Sequence, residues 1–181
     1  MAGFVLASLS RTGAVLWVQD RTSAAEAGIP YPNALHRPII RVRSRNAADA
    51  LQAMEMGLSC SVLSAVVGEI WGEAPRVDFT ATKRLALRAE RSGVSCWILR
   101  RGASPGLSAA RDRWAVESMP SVPSLWDDRA PGPPRWRADL FRTRGGRPGT
   151  WIATHDRTTD RLHLDAADGD GPAPRPAERA G

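Results

Sequence analysis

Apolar residues in the first half of the chain form short continuous runs, separated by segments with helical periodicity. Four of these runs have the length of buried strands and lie at residues 14–20, 39–42, 62–70 and 94–99. Ser44 or Asn46 can cap a helix that runs to about Leu58, and Asp78 can cap another that ends near Arg91. Because parallel strands are buried on both faces and need crossover connections, this order predicts an α/β fold with a parallel sheet flanked by helices.

The segments on either side of the first run are predicted separately. Residues 1–11 have the apolar positions of the latter part of a helix. Residues 21–38 are predicted to be a loop with at most one helical turn, because glycine and prolines at positions 28, 30, 32 and 38 interrupt any longer element.

After residue 101 apolar and polar residues alternate, which is typical of strands with one buried face. The alternating runs are residues 114–117, 135–143, 150–155 and 161–165. The last three predict an antiparallel β-meander that extends the sheet, with Trp136 and Trp151 on its core side. Residues 120–134 are predicted to be flexible. From residue 166 the chain is rich in Pro, Gly, Ala and Asp, so we expect one domain over residues 1–165 and a disordered tail over 166–181.

Length and composition fit a globular protein without a membrane anchor. Of the 181 residues, 43% are hydrophobic and 24% are charged, and no apolar run approaches the roughly 20 residues needed to cross a bilayer. We therefore expect a cytoplasmic protein. Cys60 and Cys96 lie within apolar segments, which predicts two reduced and buried thiols.

The basic residues are candidate binding residues. The formal net charge is +6, and every basic residue except Lys83 is an arginine. Arginine binds phosphate or carboxylate bidentately, although a GC-rich genome would also favour arginine codons. Two groups are candidate contacts for DNA or a protein partner. The first repeats along one helix face, which can equally be a solvated face, and comprises Arg84, Arg88 and Arg91. The second lies in the meander, with Asp139 as its only acid, and comprises Arg135, Arg137, Arg142, Arg144 and Arg147.

Patterns that carry catalysis are missing from the sequence. Hydrolysis on a phosphate loop needs GxxxxGK[ST]; this motif does not occur, and Lys83 lies inside a predicted helix. The GGRPG segment at residues 145–149 lies between antiparallel strands, which favours a hairpin turn over an anion-binding nest. Asp20 and Glu69 end strands where α/β folds place functional groups, and hydrogen-bonded structural acids are the simpler interpretation. We predict a protein that is not an enzyme and holds no cofactor or metal.

Four blocks of the sequence resemble the ImuA family, a RecA- and SulA-related group. The blocks are GAVLWVQD, DALQAMEMGLSCSVLSAVVGEIWG, DFTATKRLALRAERSGVSCWILRR and RWRADLFRTRGGRPGTWIATHD. The resemblance covers residues 1–164 and implies a RecA-like core, in which Glu69 ends the strand that carries the Walker B acid in RecA-like ATPases. It also implies that the chain begins just after the place of the family's phosphate loop, so we expect an N-terminally truncated RecA-like domain.

The resemblance implies partners as well. ImuA proteins act beside ImuB and an error-prone C-family DNA polymerase in damage-induced mutagenesis. We therefore predict a non-catalytic accessory protein of translesion synthesis that binds ImuB, the polymerase, RecA or DNA. Two alternatives stay open at this point: a SulA-like inhibitor of cell division in the SOS response, and a degenerate fragment of a RecA-like ATPase.

Overall fold

The computed structural model describes residues 1–9, 12–31, 37–124, 126–127, 129–156 and 158–167. Helices in these ranges are α1 (Ala2–Ser8), α2 (Arg21–Ala27), α3 (Ala47–Gly57) and α4 (Phe79–Ser92). The strands are β1 (Ala14–Asp20), β2 (Ile39–Ser44), β3 (Leu63–Trp71), β4 (Ser95–Arg101), β5 (Asp112–Met119), β6 (Arg135–Thr143), β7 (Gly149–Asp156) and β8 (Arg161–Ala166). None of the helices in this part of the chain is long and apolar enough to cross a membrane.

The chain divides into two compact units. One comprises Leu9–Ala110, and the other comprises Met1–Ser8 together with Arg111–Gly181. The single domain expected over residues 1–165 stays a prediction. The disordered tail expected over residues 166–181 also stays a prediction, because residues 168–181 lie outside the described residues, although Ala166 belongs to β8.

The first unit contains the predicted parallel sheet, with the strand order β2-β1-β3-β4 and parallel pairing throughout. Apolar residues of α3 and α4 cover one face of this sheet, where Met54 and Leu85 pack with Val18 and Val66 in a single buried cluster. Burial of such side chains stabilises the fold by roughly 2 kcal/mol each. The predicted α/β architecture is therefore confirmed.

The caps of α3 and α4 are also confirmed. The side chain of Asn46 accepts a hydrogen bond from the Asp49 amide at 2.9 Å, and Asp78 accepts one from the Ala81 amide at 2.7 Å. Each bond satisfies an amide that has no partner inside its helix, which fixes where the helix begins. Helix α4 ends at Gly93, whose φ of 71° lies in the left-handed region that favours glycine.

The prediction of a loop with at most one helical turn after β1 was wrong. Residues 21–27 form the two-turn helix α2, because Asp20 ends the strand and at the same time caps the helix through the Ser23 amide. Helix α2 ends at Gly28, the first of the residues predicted to interrupt a helix in this segment.

The second unit contains an antiparallel sheet in the order β5-β6-β7-β8. The prediction that the meander extends the parallel sheet was wrong, because within the described residues it forms a sheet of its own. This second sheet packs on an aromatic core of its own. Phe4 of α1 lies 6.0 Å from the ring centroids of both Trp114 and Trp136, and Trp114 lies 5.8 Å from Trp151. Trp136 and Trp151 are buried on the core side, as the alternation predicts.

The two thiols do not share one environment. Cys60 is exposed in the turn after α3, so the prediction of a buried thiol was wrong there. Cys96 lies in β4, and burial raises the pKa of its thiol to about 12. Both cysteines are free.

Candidate functional site

Glu69 lies near the carboxyl end of β3 and is only 2% exposed. Its Oε2 accepts hydrogen bonds from Trp17 Nε1 at 3.2 Å and from Gln19 Nε2 at 2.7 Å. Its Oε1 accepts one from Arg101 Nη2 at 3.1 Å, which is also an ion pair. Both carboxylate oxygens are therefore bound by side chains of β1 and β4, the strands on either side of β3.

This network joins three parallel strands at one level of the sheet. The pairing of β1 with β3 sets Gln19 opposite Glu69, and the pairing of β3 with β4 sets Leu99 opposite Glu69, two residues before Arg101. Gln19 also donates to the carbonyl of Gly28, at the end of α2, at 2.8 Å. A buried carboxylate costs free energy unless it is paired and hydrogen-bonded, and here the three donors meet that need.

Asp20, the other acid predicted at a strand end, is bound by backbone amides. Its Oδ1 accepts from the Ser23 amide at 2.6 Å and its Oδ2 from the Trp71 amide at 3.2 Å. These contacts cap α2 and join the carboxyl ends of β1 and β3. The simpler interpretation, a hydrogen-bonded structural acid, describes the contacts of both Asp20 and Glu69.

Two of the arginines on α4 bind polar side chains at the C-terminal end of α3 and in the turn after it. Arg84 Nε lies 2.9 Å from Glu55 Oε1, and Arg88 Nε lies 3.7 Å from Glu55 Oε2. Arg88 also donates to Ser59 Oγ at 3.2 Å. Two of the three residues in this predicted group thus link α4 to α3 and the turn after it, and all three, including Arg91, are exposed. A partner contact through this face stays a prediction.

The arginines on and beside β6, which were predicted as one group, lie in two different environments. Arg135 and Arg137 alternate with the buried Trp136 and lie on the outer face of the meander. Glu117 of β5 pairs directly opposite Arg137, so Asp139 is not the only acid beside this group. Arg135 and Arg137 therefore belong to a surface of mixed charge.

The second environment lies at the end of the sheet where β5 begins and β6 ends. Arg113 pairs opposite Arg142, and the register shift beside it leaves Phe141 without an opposite residue on β5. The shift turns Arg142 to the outer face, together with Arg113. Burial lowers the pKa of Arg113, and the neighbouring charge of Arg142 lowers it further.

Sequence reasoning missed part of this second environment. Arg111 and Arg113 precede the alternating segment of β5 by sequence, and only the pairing of β5 with β6 brings them beside Arg142 and Arg144. The Arg144 amide donates to the Arg111 carbonyl at 3.1 Å. Arg147 follows in the turn between β6 and β7, which confirms that the GGRPG segment is a hairpin turn. The signal in the sequence was the RDR tripeptide at 111–113.

An exposed aromatic residue also went unpredicted. Trp126 is 94% exposed in the connection between β5 and β6. This connection, which the sequence predicted to be flexible, contains hydrogen bonds from Ser124 N to Ala130 O at 3.1 Å and from Gly132 N to Val122 O at 2.9 Å. A fully exposed tryptophan is uncommon on the surface of a monomeric protein, whereas tryptophans are frequent as anchors in protein interfaces.

Comparison with known proteins assigns the family. No protein-family model matches the chain. Two curated relatives do, both called Protein ImuA, from Caulobacter vibrioides strains NA1000 / CB15N and ATCC 19089 / CIP 103742 / CB 15. Each is 38% identical over an alignment of 187 positions, gaps included, which covers 93% of this chain and 73% of the relative. The chain belongs to the ImuA family. The resemblance seen in the four sequence blocks is thereby confirmed.

A solved structure also matches this ImuA-family chain. SulA from Pseudomonas aeruginosa aligns with a TM-score of 0.38 and 16% identity, over 54% of this chain and 82% of SulA. A likeness at that level carries no argument about function. The SulA-like alternative therefore stays a prediction.

Within each unit, the predicted site residues of this ImuA-family chain have different surroundings. Glu69 is enclosed in the parallel sheet, and Arg84 and Arg88 bind Glu55 of α3. The meander arginines divide between a mixed-charge face and an arginine-rich end of the sheet. Among the described residues, no group of acids, histidines and cysteines could hold a metal ion.

Proposed function

We propose that this chain is a non-catalytic accessory protein of DNA-damage-induced mutagenesis, which works by binding ImuB and, through it, an error-prone C-family polymerase. Its membership of the ImuA family supports the process. The structural observation that carries the non-catalytic role is the occupied carboxylate of Glu69. RecA and DNA are further candidate partners.

The hydrogen bonds of Glu69 support this proposal, because nucleotide hydrolysis would require a free carboxylate oxygen at this position. An acid at the strand end must present a free oxygen to a metal ion or to the attacking water. Both oxygens of Glu69 instead accept hydrogen bonds from protein side chains, and Arg101 balances the charge. Presenting that carboxylate to a nucleotide would first break bonds to three residues.

Turnover of ATP tests the non-catalytic part directly. We expect the purified chain to hydrolyse no ATP above a blank in the presence of magnesium. Magnesium-dependent turnover that disappears in the Glu69→Gln variant would contradict the proposal. Glu90→Gln, an exposed acid on α4, is the matched control for loss of one negative charge.

The mixed-charge face and the exposed tryptophan are the surface proposed to meet ImuB. Protein interfaces combine both signs of charge with a few aromatic anchors. Arg135, Arg137 and Glu117 supply the charges, and Trp126 supplies an aromatic side chain on the connection between the same two strands.

Co-purification with ImuB from the same genome tests the partner. We expect the wild-type chain to retain ImuB, and both Arg135→Glu/Arg137→Glu and Trp126→Ala to lose most of it, because hot-spot residues of these types cost about 2 kcal/mol or more when removed. Leu107→Ala, which removes another exposed apolar side chain, should retain ImuB. Equal retention by all four chains would contradict the assigned surface, and no retention by the wild type would contradict the partner.

A further inference from the structure

We propose that one end of the meander binds single-stranded nucleic acid, with arginines on the phosphates and Phe141 stacked on a base. This arginine patch consists of Arg111, Arg113, Phe141, Arg142, Arg144 and Arg147. The inference deepens the proposed function, on which it rests for its role in mutagenesis, by naming a ligand and a surface distinct from the one assigned to ImuB.

Charge is not evenly distributed over the meander: positive charge is concentrated in the arginine patch. Elsewhere on the meander, Arg137 has Glu117 opposite it and Arg161 has Asp156, while Arg135 lies opposite Met119 and Thr154. Within the described residues, none of the five arginines of the patch forms an ion pair. The one acid among them, Asp112, accepts a hydrogen bond from Thr143.

Arg113 and Arg142 hold like charges directly opposite each other. Such cross-strand pairs are destabilising by a few tenths of a kcal/mol or more, and they persist where another interaction compensates. Burial and the neighbouring charge of Arg142 both lower the pKa of Arg113. A polyanion lying across the two strands would relieve the repulsion, and the release of its counterions would add to the affinity.

The turn beside this pair brings two more guanidinium groups close to the backbone. A Cβ added to Gly145 would lie 2.9 Å from Nη2 of Arg111, so glycine leaves room for that side chain against the turn. Arg144 and Arg147 are exposed in the same turn. Planar, multidentate donors in this arrangement suit a chain of phosphates better than a single carboxylate.

Phe141 indicates a single strand rather than a duplex. Phe141 is the extra residue at the register shift, and its side chain is 40% exposed. The guanidinium carbon of Arg113 lies 4.9 Å from the centroid of its ring. Exposed aromatic rings among basic side chains stack on unpaired bases, which a duplex does not offer. A purely acidic chain such as polyglutamate would meet the charge of the arginines and would offer no base to stack on the ring.

Binding of a fluorescent oligothymidylate of about 20 nucleotides, followed by anisotropy, tests the inference. We expect the wild-type chain to bind at about 50 mM salt and the logarithm of its affinity to fall with the logarithm of salt at a slope of about −3. Arg142→Glu/Arg144→Glu should weaken binding by about 30-fold or more. Arg144→Ala/Arg147→Ala, confined to the turn, should weaken it in the same direction.

Substitutions of the ring test the stacking separately from the charge. Phe141→Ala should weaken binding about tenfold, whereas Phe141→Tyr should leave it unchanged, since stacking on a base contributes about 1–3 kcal/mol. Equal affinity for a duplex of the same length, or equal competition by polyglutamate, would overturn the inference in favour of general polyanion or acidic-protein binding. So would an absence of oligothymidylate binding by the wild-type chain.

The matched control on the same strand is Arg135→Glu/Arg137→Glu, which changes the charge by the same amount. It should retain the oligothymidylate and lose ImuB, while Arg142→Glu/Arg144→Glu should do the reverse. Loss of the oligothymidylate in both variants would overturn the assignment to the patch. Failure of ImuB binding with intact oligothymidylate binding would reject the proposed partner and leave the inference standing.

Discussion

At the scale of single residues, the side chains around Glu69 provide hydrogen-bond donors that suit a carboxylate. Three donors face it, from Trp17, Gln19 and Arg101, and each is placed by a strand on one side or the other of β3. An acid in this position accepts hydrogen bonds from both neighbouring strands and thereby links three strands of the parallel sheet.

Replacing that carboxylate therefore has a predictable effect on stability. Glu69→Gln brings two further N–H donors to a group that already faces three, so at least one donor loses its acceptor. We expect the free energy of unfolding to fall by about 2 kcal/mol, measured by urea denaturation, since Arg101 is partly exposed and water replaces some of the loss. Glu90→Gln should change it by less than about 0.5 kcal/mol. An equal effect in both variants would show that the network contributes nothing.

The two thiols should differ in reactivity. Cys60 is exposed, whereas burial raises the pKa of Cys96 to about 12 and keeps that thiol protonated well above neutral pH. At about pH 8 a thiol reagent should label one cysteine per folded chain within minutes and the second only after unfolding. Cys60→Ser should abolish the fast phase. A fast phase of two thiols would contradict the burial of Cys96.

At the scale of elements, the packing of α3 on the sheet depends on one small residue. Gly57 is the last residue of α3, and a Cβ there would overlap Leu16 Cδ2 and lie 3.2 Å from Val66 Cγ2. Both neighbours are buried, so neither can move away freely.

Gly57→Ala should consequently lower the thermal midpoint. The gain in helix propensity is about 1 kcal/mol at most, while overpacking a core costs about 1–3 kcal/mol, so a net loss of up to about 2 kcal/mol is expected. Gly106→Ala is the matched control, because a Cβ there meets nothing within 4 Å. It should leave the midpoint unchanged or raise it slightly. A rise for Gly57→Ala would contradict the close approach of helix and sheet.

Sequence patterns predicted most of the elements because local signals define them. The runs of β1 and β6 lie between clear breakers, and the caps Asn46 and Asp78 precede regular helical periodicity, so these bounds followed from neighbouring residues alone. Helix α2 was missed because its cap, Asp20, is also the last residue of β1. The exposure of Cys60 was missed because its apolar neighbours conceal a turn.

The features that were missed beyond these depend on contacts between distant residues. Alternation shows that the meander strands are half-buried but not which sheet they join, which the ring contacts of Phe4 and the three tryptophans decide. The arginine patch depends on the register of β5 with β6. Simple alternation puts Arg142 on the face of Trp136, and the shift at Phe141 moves it to the other.

At the scale of the whole molecule, one compact unit is built from separated parts of the chain. Met1–Ser8 belongs with Arg111–Gly181, and Leu9–Ala110 is a unit of its own. Helix α1 packs against β7 and β8, and its Phe4 contacts the tryptophan core of the meander. Because the first residues of the chain complete the core of the last sheet, the meander should depend on them.

Phe4→Ala tests that dependence. Removing a buried phenylalanine costs about 3 kcal/mol or more, so the variant should lose stability and its tryptophan emission should shift to the red. Phe79→Ala removes the same group from an exposed position on α4, 45% exposed, and should cost less than about 1 kcal/mol. Equal losses, or an unchanged emission in Phe4→Ala, would show that the meander is independent of α1.

We propose that this ImuA-family chain promotes damage-induced mutagenesis by binding and without catalysis. The most direct measurement is the frequency of mutations after ultraviolet irradiation in a strain that lacks the gene, complemented by variants at matched protein levels. We predict that deletion abolishes the induced mutations, that wild type restores them, and that Arg135→Glu/Arg137→Glu and Arg142→Glu/Arg144→Glu each fail to do so. An induced frequency in the deletion strain equal to that of its parent would contradict the account.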